Sequence, residues 1–171
     1  MSLSGNLASE IRKIFGGSFV NDDLHTRRTY SKDLWPRNLI NDREGLLYEP
    51  TVDAVVWPNN IDELVKFARF AYEQGWEMFP YGAGSGVCGG LTPGKHEAKA
   101  RVVVDLKKLD QIEWIDEISL VAKVQAGILG QVLEEKLNMK GYTLGHFPSS
   151  IYCSSFGGYL ATRAAGQLST Y

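Results

Sequence analysis

The chain has 171 residues, of which 44% are hydrophobic and 22% charged, and its formal net charge is −2. That length suits one domain, or a large domain cut short, with enough apolar content for a core; the charge balance excludes the basic surface of a nucleic-acid binder. No apolar run approaches the roughly 18 residues that cross a bilayer, and residues 1–20 lack the uninterrupted apolar stretch of a signal peptide.

Residues 4–16 have the spacing of a short amphipathic helix, with Leu7, Ile11, Ile14 and Phe15 on one face. From Gly17 to Glu49 the sequence is polar and irregular, with Trp35-Pro36 inside it, and reads as an arm wrapping the domain. "VDAVVW" from Val52 is β-branched and apolar, the mark of a buried strand, and Pro58 stops it. Asn60 followed by Glu63 resembles a capping box. Leu64, Val65, Ala68, Ala71 and Tyr72 then mark the buried stripe of a helix ending near Gly75. "WEMFP" is a second strand, which makes a βαβ unit with parallel strands expected.

After a glycine-rich loop and a polar segment at 92–100, "RVVVDL" is another strand; "QIEWI" and "SLVAKVQA" form a hairpin around Asp116-Glu117. A helix over 128–139 puts Leu129, Val132, Leu133 and Leu137 inward, leaves Glu134-Glu135-Lys136 on its solvated face and closes at Gly141. "YTLGHFPSS" is a loop and "FGGYLATRAAG" a short helix or tight turn, while Trp57 and Trp114 are expected to pack within their strands. The fold class is α+β: a βαβ unit followed by an antiparallel-rich mixed sheet with flanking helices.

"PYGAGSGVCGG", from Pro80 to Gly90, sets five glycines among eleven residues directly after the second strand. Glycine reaches φ > 0 and lets backbone N–H groups approach a ligand closely; the bland alternative is a flexible surface turn. A Rossmann fingerprint needs its glycines after the first strand, where this chain has Pro58-Asn59-Asn60. The run from Gly89 to Gly94-Lys95 fits a P-loop template, but His96 takes the place of the Mg²⁺-binding hydroxyl and a strand follows instead of a helix. A third reading is a nest that wraps a pyrophosphate with backbone N–H groups and needs no lysine. A second small-residue cluster, Ser149 to Gly158, carries hydroxyls and free N–H groups at the start of the short helix. Two separated cradles suit a long dinucleotide lying between two subdomains.

Cys88 and Cys153 make no metal or disulfide pattern and read as small buried thiols of a reduced, cytoplasmic protein; no metal is expected. His146 reads as a loop histidine with a structural hydrogen bond in preference to a ligand-site role. Arg163 suits a phosphate or carboxylate partner and an ordinary salt bridge equally. Tyr81 is either a neighbour of a ligand held by the glycine loop or core.

Three ordered blocks carry a family resemblance: "DAVVWPNNIDELVKFARFAYEQGWEMFPYGAGSGVCGG", "VDLKKLDQIEWIDEISLVAKVQAGILGQVLEEKL" and "GYTLGHFPSSIYCSSFGGYLATRAAG". From about Glu49 to Tyr171 the chain resembles the FAD-binding domain of the vanillyl-alcohol oxidase or PCMH type, whose members include glycolate and D-lactate dehydrogenases and alkyldihydroxyacetonephosphate synthase. The string "GHFP…SSFGG…TRAAG" is most similar to the synthase branch. The resemblance implies that residues 1–48 are an N-terminal helix and arm and 49–171 the flavin domain, its first subdomain ending near 105 and its second begun at 106. It implies that Pro80, Tyr81, Gly82, Ala83, Gly84, Ser85 and Gly86 wrap the FAD pyrophosphate. Ser149, Ser150, Ile151, Tyr152, Cys153, Ser154 and Ser155 would be a second FAD-contacting segment, and Ala161, Thr162, Arg163 and Ala164 a third. Ser149 stands where a synthase-like sequence has Asp, Ala161 where it has Ser, and Cys88 where Ser is usual, each removing one polar contact. The first loop lacks the histidine that tethers flavin in many members, which implies noncovalent FAD.

The resemblance implies the FAD-binding part of a flavin-dependent oxidoreductase acting on a small molecule, a 2-hydroxy acid such as glycolate or D-lactate. Its alternative is an ether-lipid enzyme of the synthase kind, in which FAD supports a net non-redox alkyl exchange; a flavin-free binding module is the reading from another class. Catalytic residues are expected beyond Tyr171. The chain alone is therefore expected to be inactive, to bind FAD weakly or not at all, and to self-associate through its truncated face.

Overall fold

A computed structural model describes residues 4–46, 50–92 and 98–169. Glu49 and Tyr171, the expected limits of the flavin domain, and Gly94-Lys95 of the P-loop-like run lie outside the described residues. Strands β1 (Val20–Asn21), β2 (Ala54–Val56), β3 (Glu77–Tyr81) and β4 (Arg101–Asp105) form a four-stranded sheet in the order β1-β2-β4-β3. β2 and β3 run parallel to β4, and β1 runs antiparallel to β2. The βαβ unit is present, but its two strands are not neighbours. β4 lies between them, with Val103 opposite both Val55 and Phe79.

A central parallel strand is buried on both faces, which is why β4 is an unbroken valine run. Val102 and Val104 point to the face covered by helices α1 (Ser4–Phe15) and α4 (Ile61–Gln74), where they meet Ile11, Phe67 and Ala71; Val103 points to the other face with Val55 and Phe79. In α1, Leu7, Ala8 and Ile11 are buried and Phe15 stacks on Phe19 at 4.6 Å, but Ile14 is exposed, contrary to the sequence reading. The stripe of α4 is rotated from the one expected: Phe67 and Ala71 are buried, with Leu64 and Phe70 packed beside them, while Val65 and Tyr72 face solvent. One residue along a helix is a turn of about 100°, so Val65 and Tyr72 lie a step off the Leu64–Ala71 line. The cap is also modified. Asn60 accepts from the Glu63 N–H at 2.8 Å, but the Glu63 carboxylate reaches the N–H of Asn59 and not that of Asn60. Gly75 ends the helix at φ 70°.

The segment read as an irregular arm is largely regular. A 3-10 turn at Gly17–Phe19 leads into β1, followed by α2 (Leu24–Thr29) and α3 (Pro36–Arg43). Asp23 caps α2 by accepting from the Thr26 N–H at 2.9 Å, and Pro36 occupies the first turn of α3. Neither helix has a buried residue, so neither shows the apolar period that would reveal it.

The hairpin is as expected: β5 (Ile112–Asp116) pairs antiparallel with β6 (Val121–Val124) in a separate two-stranded sheet. Trp114 is half-exposed on it instead of packed. Helix α5 (Gly130–Asn138) buries Leu133 and Leu137 with Ile128 against Ile112, Ile115 and Val124, while Leu129 and Val132 remain partly exposed. Glu134 is no solvated residue: it is buried, and its carboxylate accepts from the Thr143 hydroxyl and from the Leu144 N–H at 3.0 Å. A buried carboxylate is tolerable because those donors replace water. Helix α6 (Phe156–Ala161) closes the described fold, capped by the Ser155 hydroxyl. Among the described residues, no helix is long and apolar enough to cross a membrane.

Candidate functional site

β3 and β4 end side by side, with Tyr81 paired to Asp105 in register, and a cleft of about 470 Å³ opens beyond them. One wall is Tyr81, Gly82, Ala83, Asp105 and Lys107; the other is Gly127, Ile128, Leu129 and Val132 from the start of α5. The outside of the carboxyl ends of parallel strands is where open α/β sheets bind ligands. Leu129 and Val132, expected inward, give this wall its apolar surface.

The glycine loop enters the cleft with its donors free. Among the described residues, the backbone N–H groups of Gly82, Ala83, Gly84, Ser85 and Gly86 donate to no protein acceptor. Consecutive unpaired N–H groups would be costly if buried in apolar surroundings, and they form a concave anion site when a ligand supplies the oxygens. Two positions cannot take a side chain. A Cβ on Gly82 would fall inside contact with the Ser155 hydroxyl and 2.9 Å from its Cβ; one on Gly84 would meet the Tyr81 hydroxyl and lie 2.8 Å from Cζ. Gly84 also holds φ 72°. Pro80 precedes this turn on the exposed edge of β3, with the ring of Tyr81 turned inward to lie 4.6 Å from that of Tyr30.

The structure brings the first and second predicted segments together. The Ser85 hydroxyl is 2.9 Å from that of Ser154, which donates to the Ser150 hydroxyl at 2.7 Å. Ile151, Ser154 and Ser155 are buried, and the Gly130 N–H donates to the Ser154 carbonyl at 3.0 Å, tying this segment to α5. Ser149, Tyr152 and Cys153 face outward. Ala161, Thr162, Arg163 and Ala164 lie at the opposite end of α6 from Ser155, with Ala161, Thr162 and Arg163 exposed and Arg163 at φ 52°. Arg163 makes no ion pair among the described residues. Cys88 and Cys153 are exposed, not buried, because both loops present their outer edges to solvent there. The His146 ring lies 5.4 Å from that of Tyr159. Burial, with the nearby Glu134 carboxylate, pushes the Tyr159 phenol up to about 12, and its hydroxyl has no partner among the described residues.

Sequence reasoning missed the polar floor of the cleft. Asp105, fully buried at the end of β4, accepts from the Tyr30 hydroxyl at 2.6 Å, the Trp57 indole at 3.0 Å and the Lys107 N–H at 2.9 Å, and it pairs with the Lys107 ammonium at 2.9 Å. Burial, reinforced by Asp105, raises the Tyr30 phenol, and burial near Tyr30 raises Tyr81. Burial alone would depress the Lys107 ammonium, but its bonds to Tyr30 and Asp105 carry it above the ordinary lysine value. An acid closing an otherwise apolar strand was the available signal.

Residues 52–171 match the family described as an FAD binding domain. The chain belongs to the PCMH-type FAD-binding family. The free N–H run, closed to side chains at Gly82 and Gly84, fits the diphosphate of FAD. Over 131 residues the chain is 42% identical to alkyldihydroxyacetonephosphate synthase of Caenorhabditis elegans, covering 76% of this chain and 22% of that protein. It is 27% identical over 164 residues to glycolate oxidase subunit GlcD of Bacillus subtilis, covering 96% of this chain and 32% of that protein. A solved alkyldihydroxyacetonephosphate synthase superposes with a TM-score of 0.85 at 30% identity, over 94% of this chain and 30% of that one. This FAD-binding domain thus spans about a quarter of the length of the curated synthases it matches.

Proposed function

We propose that this chain supplies the noncovalent FAD cradle of a flavoenzyme of the alkyldihydroxyacetonephosphate synthase kind. The observation that carries the FAD reading is the run of unpaired N–H groups from Gly82 to Gly86, held against Ser154 and Ser155. For the branch, 42% identity to a synthase against 27% to a glycolate oxidase subunit favours alkyl exchange over oxidation of a 2-hydroxy acid. Bound FAD supplies a ring that takes up and returns electron pairs. The residues of this chain bind and orient it: the N–H run takes the diphosphate oxygens, and the serine hydroxyls lock the two loops around them. Leu129 and Val132 exclude water from one wall, and Lys107 places a positive charge on the other. With no histidine between Pro80 and Gly90, the loop offers no imidazole to tether the ring.

Full-length protein loaded with FAD tests both parts. Acid precipitation is expected to leave the flavin in the supernatant; flavin retained on a peptide of this chain would refute noncovalent binding. Exchange of a labelled fatty alcohol into an acyl-dihydroxyacetone phosphate is expected, with no dye reduction by glycolate or D-lactate. The reverse pattern would return the protein to the hydroxy-acid oxidising branch.

A further inference from the structure

Asp33 lies in "YSKDLWP", between α2 and α3 and outside residues 52–171 that match the family. It is a carboxylate only 6% exposed, which needs a full set of donors. Two come from its own segment: the Trp35 N–H at 3.1 Å and the Asn38 amide at 3.2 Å, both to Oδ1. The third is the N–H of Gly90, at 3.0 Å to Oδ2, from the far end of the glycine loop. The neighbouring Leu34 N–H donates to the Gly86 carbonyl at 2.8 Å, and the Trp35 ring packs against Gly89, whose φ of 73° and missing side chain make room for it. Gly86 to Gly90 is thus fastened at both ends by the N-terminal segment, while on the other side Ser85 bonds to the Ser154 hydroxyl and Ser155 packs close against Gly82.

We propose that Asp33 is a positioning residue for the cofactor: by holding Gly90 it fixes the second half of the loop and so pre-aims the free N–H groups of Gly82 to Gly86. The proposal rests on the reading of that loop as the FAD diphosphate cradle. Its electrostatics make the test sharp. A carboxylate beside a diphosphate site repels the ligand, and Oδ2 lies 3.6 Å from where a Gly86 Cβ would stand. If Asp33 acted by charge alone, removing the charge would tighten FAD binding. If it acts by position, removing the charge weakens binding, because an amide cannot accept on both sides as the carboxylate does.

The experiment measures FAD affinity by flavin fluorescence in full-length apoprotein, with apoprotein melting and amide exchange of the 82–90 peptide alongside. Asp33→Asn is expected to bind FAD at least tenfold more weakly and to speed exchange in that peptide beyond any change in the rest of the chain, while it melts lower but still in one cooperative transition, because a buried acceptor is lost. Lys32→Ala, which breaks the surface pair with Asp42 on the same segment, is expected to leave affinity unaltered. Equal or tighter binding by Asp33→Asn overturns the proposal, as does a loss matched by Lys32→Ala. If Asp33→Asn fails to fold, Asn38→Ala decides: a several-fold loss supports positioning, and unchanged affinity overturns it. A wild-type protein that binds no FAD would instead overturn the cofactor reading itself.

Discussion

The hydroxyls of Ser85 and Ser154 stand 2.9 Å apart although 69 residues separate them in the chain. That contact joins two loops, each of which is only a small-residue turn by itself. A double-mutant cycle with Ser85→Ala and Ser154→Ala is expected to show a coupling of about 1 kcal/mol in urea unfolding, the usual net worth of one hydrogen bond. Simple additivity would show that the loops meet without supporting each other.

Gly84 and Gly86 look equivalent in sequence but are not in space. Gly84→Ala brings a Cβ onto the Tyr81 ring at a positive φ, whereas Gly86→Ala meets only an Asp33 oxygen at 3.6 Å, an ordinary contact. Gly84→Ala is therefore expected to abolish FAD binding and cost about 1–2 kcal/mol of stability from the left-handed backbone, while Gly86→Ala folds normally. Flavin content of the two purified variants checks this; equal retention would contradict it.

Asp105→Asn keeps the shape of the buried carboxylate but only one of its two accepting oxygens, so its NH2 must face either the Lys107 N–H or the Tyr30, Trp57 and Lys107 side-chain donors, and Lys107 loses its counter-charge. Breaking a buried charged network by changing one partner costs on the order of 3 kcal/mol. Denaturant melts at neutral pH measure it, and a loss below about 0.5 kcal/mol, the range of ordinary surface substitutions, would show that the network is solvated.

Tyr159 has a buried hydroxyl with no partner among the described residues and a phenol pushed from 10.0 to about 12. Tyr159→Phe at pH 7 is expected to be neutral or stabilising by about 1 kcal/mol. The sign at high pH follows from linkage. Between pH 10 and 12 the folded phenol keeps its proton while the unfolded one loses it, so wild-type stability falls as pH rises through that window. Tyr159→Phe is expected to flatten this fall. An unchanged slope would mean that the hydroxyl reaches water.

Leu120 turns the hairpin at φ 53° and is 74% exposed, next to the nearly bare Ile118. Leu120→Asn tolerates the left-handed backbone and removes apolar surface, so it is expected to stabilise by about 0.5–1 kcal/mol and to lower any self-association. Thermal melts and sedimentation of the two proteins at matched concentration are the check.

Much of the fold was legible because its signals are local. The valine run of β4, the strand before Pro58, the Asn60 and Gly75 caps and the hairpin each carry their pattern within a few neighbouring residues. Local patterning misplaced the elements whose burial depends on what packs over them: Glu134 is solvated on any helical wheel, yet the loop at Thr143-Leu144 folds onto it. The short helices α2 and α3 bury no residue, so no apolar period betrays them. Their role comes from Tyr30 and Asp33, whose partners are 75 and 57 residues away.

By itself, the sequence determined the two small-residue loops, because glycine and serine density is a local property. Only the tertiary structure decided that the two loops touch, that β4 separates the strands of the βαβ unit, and that the Asp33 carboxylate accepts from Gly90 at the end of the glycine loop. Each of these depends on a contact between distant residues, made when the chain trades entropy for burial and hydrogen bonding, and no single segment encodes it.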